Sequence, residues 1–144
     1  MDGRAFIHHL IELKIPFEHV IMNLPAIAIE FLDAFRGYDY TLDNLKKPLL
    51  HIHCFASKNG EDAEREVYKR CKKALGCGLD KIRDHFKIHV VRDIAPKKNM
   101  LCVSFYLPEC VKDLQKISLK KPNIEGCPES HSYEPVKKKM KQKE

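Results

Sequence analysis

A polar turn, Asn23-Leu24-Pro25, separates two apolar segments and contains the leading candidate for chemistry. The segment before it, residues 19–22, is short and rich in β-branched side chains, which predicts a strand buried on both faces. Residues 26–35 resume with helix-compatible types. Because ligands of open α/β sheets bind at the carboxyl ends of strands, Asn23 is placed to meet one. Asn is also a preferred helix N-cap and Pro a preferred first-turn residue, so spacing alone favours a structural cap.

Histidines and cysteines suggest metal or nucleophilic chemistry, and their spacing argues against both. His51 and His53 share one face of a predicted strand, but zinc takes four ligands and no further pair lies within reach in the sequence. We therefore predict no metal site. Cys54 and Cys102 lie within apolar strands, where thiols are usually inert.

Three further groups have two interpretations each. Asp2 stands at the start of a predicted helix, as a cap or as an acceptor that faces a ligand. Lys97 and Lys98 follow a predicted strand and form either a charged hairpin turn, which we favour, or a contact to an RNA phosphate. The Gly76-x-Gly78 pair follows a helix instead of a strand, which indicates a helix cap and not a phosphate-binding loop.

Length and composition indicate one domain, and the positive net charge is consistent with an anionic partner. The chain has 144 residues, 44% of them hydrophobic, with a net charge of +6, and its pI is about 9.0. This balance makes nucleic acid the first partner to consider. No apolar run is long enough to span a membrane, and the charged N-terminus is unlike a signal peptide. The six cysteines (54, 71, 77, 102, 110 and 127) form no Cys-x-x-Cys pair and are predicted to be reduced and mostly buried.

The elements that position these residues alternate between helices and strands. Periodicity predicts helices at 5–14, 26–35 and 61–75, a short helix within 77–86, and strands at 19–22, 48–56, 87–95 and 100–107. Both alternate sets of the second strand are largely apolar, which is typical of an interior strand. The short connection at 97–99 makes the last two strands antiparallel neighbours. This order predicts the second half of an α/β sheet with an antiparallel closing hairpin and an unpaired parallel strand at one edge.

The pattern ends after Pro108. Residues 109–144 contain nine lysines and six acidic residues, with lysines clustered at the end. We interpret this segment as a basic, disordered tail, in preference to a weak nucleic-acid or nuclear-import patch. The domain boundary is therefore predicted at residue 108.

Five motifs in register resemble one enzyme family. They are Asp2-Gly3-Arg4, Met22-Asn23-Leu24-Pro25 with Ala28 and Glu30-Phe31-Leu32, His53-Cys54-Phe55, residues 91–96, and residues 100–105. Their order and spacing resemble the C-terminal part of the archaeal/eukaryotic-type tRNA (guanine-N1)-methyltransferase, which transfers a methyl group from S-adenosylmethionine to guanine 37, beside the anticodon. The resemblance covers residues 1 to about 108.

The resemblance implies a class I (Rossmann-like) methyltransferase sheet, with S-adenosylmethionine as cofactor and tRNA as partner. By the same resemblance, Asp2, Gly3 and Asn23 bind the cofactor, and Asn23 and Pro25 position the target base. The chemistry suits an amide, because a base must be oriented while a proton leaves its ring nitrogen.

The family's Gly-rich cofactor strand, ribose-binding acid and catalytic Arg and Glu precede the matched region, as does its tRNA-recognising domain. We therefore expect residues 1–108 to be a partial methyltransferase domain that is inactive alone. The alternative is a non-catalytic basic α/β module that binds nucleic acid or a protein. The family further implies a monomer in the cytoplasm and nucleus, with the mitochondrial matrix as a further compartment.

Overall fold

A computed structural model of the protein describes residues 2–42 and 45–116. The elements, in chain order, are α1 (Gly3–Glu12), β1 (His19–Met22), a first 3₁₀ helix (Ile29–Phe35), β2 (Leu49–Ser57), α2 (Gly60–Leu75), β3 (Lys87–Ala95), β4 (Lys98–Tyr106) and a second 3₁₀ helix (Glu109–Asp113). Within the part of the chain that the structure describes, no helix is both long and apolar enough to cross a membrane.

The four strands form one mixed sheet in the order β1-β2-β4-β3. β1 runs parallel to β2, whereas β4 is antiparallel to both β2 and β3. The α/β class and the antiparallel closing hairpin predicted from the sequence are therefore confirmed. β4, the last strand in the chain, lies between β2 and β3, so that the hairpin folds back onto the parallel pair.

One face of the sheet is covered and the other is not. Along β2, the side chains at even positions are buried and those at odd positions are half-buried. The covered face packs against α2 and the first 3₁₀ helix, and its core includes Ile52, Val103 and Val67, all fully buried. β2 is thus interior by its place between two strands, but only one of its faces is buried deeply.

β1 is an edge strand. Among the described residues its one neighbour is β2. Ile21, which lies on the face opposite the covered one, is 73% exposed. The prediction that this strand is buried on both faces is wrong for the described residues, because no strand or helix among them lies against its outer side. The predicted unpaired parallel edge is confirmed.

The helix predicted at 26–35 is a turn followed by a 3₁₀ helix. Ile29, Leu32 and Phe35 are all buried in the core. Their spacing of three residues matches the three residues per turn of a 3₁₀ helix, which places all three on one face. This spacing accounts for the tighter helix.

The short helix predicted after Gly78 is absent from the described residues; residues 81–85 form a turn instead. The Asp80 carboxylate accepts hydrogen bonds from the backbone N–H groups of Ile82 and Arg83, at 2.9 and 2.7 Å. Asp80 thus offers the backbone a local alternative to helix hydrogen bonds. His85 then takes a positive φ of 52° and ends the turn.

The C-terminus of α2 is capped by an arginine from another element. Gly76 adopts φ +79°, as predicted for the cap. Arg36 donates hydrogen bonds to the carbonyls of Lys73, Ala74 and Leu75 at 2.8–3.2 Å. This contact joins α2 to the end of the first 3₁₀ helix.

The fold continues past the boundary predicted at residue 108. Val111, in the second 3₁₀ helix, is fully buried, and its carbonyl accepts a hydrogen bond from Gly37 N–H at 2.6 Å. Residues 109–116 therefore belong with the core. The rest of the predicted tail, residues 117–144, lies outside the described residues.

Candidate functional site

The loop after β1 leaves the side chain of Asn23 available. The carbonyl of Leu24, not a side chain, accepts the hydrogen bonds of Ile27 N–H and Ala28 N–H, at 2.9 and 2.8 Å. The N-cap of the 3₁₀ helix that follows is Ala28. Asn23 is exposed, and its side chain makes no hydrogen bond within the described ranges. The capping interpretation favoured by spacing is therefore not what the structure shows.

Asn23 opens onto a cleft between α1, β1 and the first 3₁₀ helix. This first cleft has a volume of about 320 Å³ and brings Gly3 and Asn23 together. Its lining is otherwise almost wholly apolar, with Phe6 and Leu10 contributed by α1 and Phe31 by the first 3₁₀ helix. The sequence analysis did not select these three residues. The signal for Phe6 and Leu10 is the exposed apolar face of α1, where Phe6 is 51% exposed.

Gly3 is a close-packing position. A Cβ at this residue would lie 2.9 Å from Cε2 of Phe31. The absence of a side chain lets α1 approach the 3₁₀ helix, and this approach narrows the cleft. The approach is fixed by Arg4, whose Nε donates to Asp33 at 2.7 Å and whose guanidinium lies 4.5 Å from the Phe31 ring centroid.

Asp2 and Pro25 lie outside the first cleft. Asp2 is exposed at the start of α1, and its carboxylate makes no capping hydrogen bond. Pro25 lines a second cleft, of about 860 Å³, on the other side of the loop. The structure thus brings together two of the four predicted site residues, Gly3 and Asn23, and places the other two beside them. Their predicted roles stay predictions.

The loop at 23–26 separates the two clefts. Asn23 and Leu24 line the first, and Pro25 and Ala26 line the second. The second cleft also includes the end of β2 and the β3–β4 turn, with Lys97 and Lys98 at its rim. A single short loop can therefore contact groups bound on both sides.

Histidines form a row on the uncovered face of the sheet. His19 Nδ1 lies 3.2 Å from His51 Nε2, and His51 Nδ1 lies 2.9 Å from Ser104 Oγ. Burial lowers the pKa of His51, and the neighbouring His19 and His53 act in the same direction. No group of three or more His, Cys, Asp or Glu residues suited to a metal ion occurs in the described part of the chain. The sequence analysis did not group His19 with His51 and His53, because His19 lies on β1 and the other two lie on β2.

The prediction that all cysteines are reduced is wrong for Cys77 and Cys110, which form a disulfide across 33 residues. The fold brings together the end of α2 and the second 3₁₀ helix, a proximity that local spacing does not reveal. Cys54 and Cys71 are free and buried as predicted, and burial raises their pKa values to about 11 and about 12. These neutral thiols are poor nucleophiles.

Comparison with known proteins identifies the relatives of this chain. It is 51% identical over 118 residues to tRNA (guanine(37)-N(1))-methyltransferase 1 of Phaeodactylum tricornutum, a match covering 81% of this chain and 26% of that protein. It is 46% identical over 111 residues to the tRNA (guanine(37)-N(1))-methyltransferase of Phytophthora infestans, covering 77% of the chain and 26% of the relative.

The chain resembles part of a tRNA (guanine(37)-N(1))-methyltransferase. The Danio rerio protein of that name is 35% identical over 146 residues, covering 93% of this chain and 29% of the relative. The chain thus spans between a quarter and a third of the length of these curated relatives. A crystal structure of wild-type Trm5b from Pyrococcus abyssi aligns with 63% of this chain and 25% of that one, at 20% identity and a TM-score of 0.39. No protein-family model matches the sequence.

Proposed function

We propose that this chain supplies one part of a class I (Rossmann-like) tRNA (guanine(37)-N(1))-methyltransferase that uses S-adenosylmethionine. The observation that carries the proposal is the position of Asn23, at the carboxyl end of a parallel strand with its amide free beside an apolar cleft. Ligands of α/β sheets bind at such strand ends. The identity to two named methyltransferases over about four fifths of the chain supports the same activity.

The first cleft fits one end of the cofactor. Its apolar lining suits a flat purine ring, and the Asn23 amide adds a polar group at the rim. Within the described lining no carboxylate is present to hold a ribose. The residues of this chain thus form one wall of a binding site, and we assign Gly3 and Asn23 to that wall, with Asp2 just outside it. When bound, S-adenosylmethionine supplies the methyl group from its sulfonium.

Asn23 is suited to orient the target base. Its amide offers a donor and an acceptor, which match the mixed edge of guanine, and positioning is the main task of the protein in an in-line methyl transfer. The other polar residue of the first cleft, His19, lies four residues earlier on β1, about 13 Å away by strand rise. His19 is therefore too distant to take the proton from the same base. In this proposal a group outside the described lining removes it.

The open edge of β1 is consistent with a sheet that continues beyond this chain. Parallel strands are normally covered on both sides, and Ile21 is 73% exposed. A further parallel strand beside β1, with the helix that covers such a strand, would bury Ile21 and complete the first cleft. From the same resemblance we propose tRNA as substrate, a monomeric whole protein, and a location in the cytoplasm and nucleus or in the mitochondrial matrix.

A chimera tests the function. The segment of the Phaeodactylum tricornutum enzyme that matches this chain is replaced by this chain, and methyl transfer from labelled S-adenosylmethionine to unmodified tRNA is measured. We expect methylation at guanine 37, none with a tRNA carrying adenine there, and none by the 144-residue chain alone. Asn23→Ala should lower kcat about 100-fold, since loss of positioning at a reacting centre has effects of this size.

Asn59→Ala is the control, because Asn59 is also exposed and lines neither cleft, and its side chain makes one long hydrogen bond, to Asp62 at 3.4 Å. Its kcat should equal that of the unmodified chimera. Equal kcat values for the two Asn variants would remove Asn23 from the site. An inactive chimera that still binds tRNA would favour the non-catalytic nucleic-acid-binding module.

A further inference from the structure

The second cleft borders the loop that carries Asn23. It is lined by the loop residues Pro25 and Ala26, by the end of β2 from Phe55 to Ser57, by Glu66 and Arg70 of α2, and by the β3–β4 turn from Ala95 to Lys98. A molecule lying in this cleft therefore contacts the same loop, two residues beyond Asn23. Its volume of about 860 Å³ accommodates more than a single small side group.

The acidic groups near the second cleft are already paired. Arg70 lies 3.3 Å from Glu30 and 3.9 Å from Glu66. Lys58 lies 2.9 Å from Asp93. Because Arg70 is shared by two carboxylates, these five groups are two cations and three carboxylates, with a net charge of −1.

Lys97 and Lys98 change the net charge of these groups at the rim from −1 to +1. Both are exposed, and within residues 2–42 and 45–116 neither lies in an ion pair. Lys98 Nζ stands 4.6 Å from the centroid of the Phe55 ring, which holds its ammonium over the cleft. Two adjacent ammonium groups beside an open channel attract a polyanion, and lysine binds phosphate as a point charge.

We propose that the second cleft binds the RNA strand that flanks the target guanine, with Lys97 and Lys98 contacting its phosphates. This proposal rests on the proposed function and assigns the substrate side of the same loop. Phosphate contacts fix the register of a nucleic acid without reading its sequence. The two lysines thereby determine where the strand lies relative to Asn23, and they act on RNA affinity and not on the methyl-transfer step.

The test measures binding of a fluorescein-labelled anticodon stem-loop RNA to the 144-residue chain by anisotropy, from 50 to 200 mM KCl. For the Lys97→Ala/Lys98→Ala variant we expect Kd to rise at least threefold at the lower salt. The slope of log K against log salt should fall by about 1.4, the value for two contacts to a single strand. The Lys97→Arg/Lys98→Arg variant should keep the slope.

The matched control is Lys72→Ala/Lys73→Ala, which removes the same charge from the exposed end of α2. Circular dichroism verifies that all variants are folded. Equal losses in the two alanine variants, an unchanged slope at Lys97 and Lys98, or equal sensitivity with polyglutamate in place of RNA would each overturn the proposal. The last outcome would assign the cleft to an acidic protein partner.

The chimera separates this inference from the proposed function. Methylation by the chimera with a threefold or larger rise in KM for tRNA, and a kcat within twofold, is expected for Lys97→Ala/Lys98→Ala. Methylation with an unchanged KM would overturn the inference and leave the function standing. An inactive chimera, with RNA binding still dependent on the two lysines, would remove the function and retain the RNA surface.

Discussion

Ile21 provides a direct measure of whether this chain is one part of a larger sheet. Its side chain is 73% exposed in β1, so Ile21→Ala removes little buried surface from the chain alone. The free energy of unfolding should fall by less than about 1 kcal/mol, mainly from strand propensity. In the chimera, a strand added beside β1 and the helix that covers it would together bury the exposed fraction of the side chain. Burial of about three quarters of an isoleucine is worth about 1–2 kcal/mol, and the cavity left by alanine raises the cost to about 2–4 kcal/mol.

The assay is hydrogen–deuterium exchange of β2 and β4 peptides over a urea series, because this reports on the sheet alone in both proteins. Met22→Ala is the control, since Met22 is only 8% exposed and its truncation should cost about 2–4 kcal/mol in the chain and the chimera alike. An Ile21→Ala cost that stays below about 1 kcal/mol in the chimera would refute a sheet extended and covered at β1, because the side chain would still be exposed there.

Two further predictions concern buried residues. Val111→Ala should lower the free energy of unfolding by about 2 kcal/mol, because Val111 is fully buried. The control Val91→Ala, at a residue 42% exposed, should lower it by under about 1 kcal/mol. Urea midpoints measure both changes, and equal losses would exclude residue 111 from the core. Burial acts to raise the pKa of Asp84, but hydrogen bonds from Arg83, a backbone N–H and Lys47 outweigh it and lower the pKa below its ordinary 3.8. A lowered folded pKa adds stability that is present above pH 3.8 and lost as pH falls through the folded value, so Asp84→Asn should flatten the loss of stability below about pH 4. An unchanged acid profile in that variant would contradict this role.

Local patterns predicted the strands and the long helix well. The bounds of β1 and β3 match the predicted ranges, and α2 begins one residue earlier than predicted. Alternation and helical periodicity are properties of residues close together in the sequence, so they can be recognised without knowing which elements pack together. The position of β4 between β2 and β3 could not be predicted in this way, because strand order depends on partners far away in the chain.

The site was only partly predictable for the same reason. Asn23 was predicted as a site residue from its place at a strand end, but its spacing favoured a helix cap. In the structure the Leu24 carbonyl accepts the hydrogen bonds of this turn, and the side-chain amide of Asn23 is free. The apolar lining from Phe6 and Phe31 is assembled from separate elements. The disulfide between Cys77 and Cys110 likewise arises from tertiary proximity.

The two clefts on either side of the loop at 23–26 divide the proposed reaction between binding and positioning. The first cleft offers an apolar wall and one amide, and the second has two lysines at its rim that we propose bind phosphates. Asn23 lines the first cleft, two residues before Pro25 of the second. A change at Asn23 should alter kcat with little effect on stability, because the side chain is exposed and makes no hydrogen bond in the described structure. A change at Ile21 should have the opposite effect, because this residue lies in the open edge strand. Ile21→Ala should lower the stability of the joined sheet and leave the methyl-transfer step unchanged. Activity in this proposal therefore belongs to the completed sheet, with the orienting amide contributed by this chain.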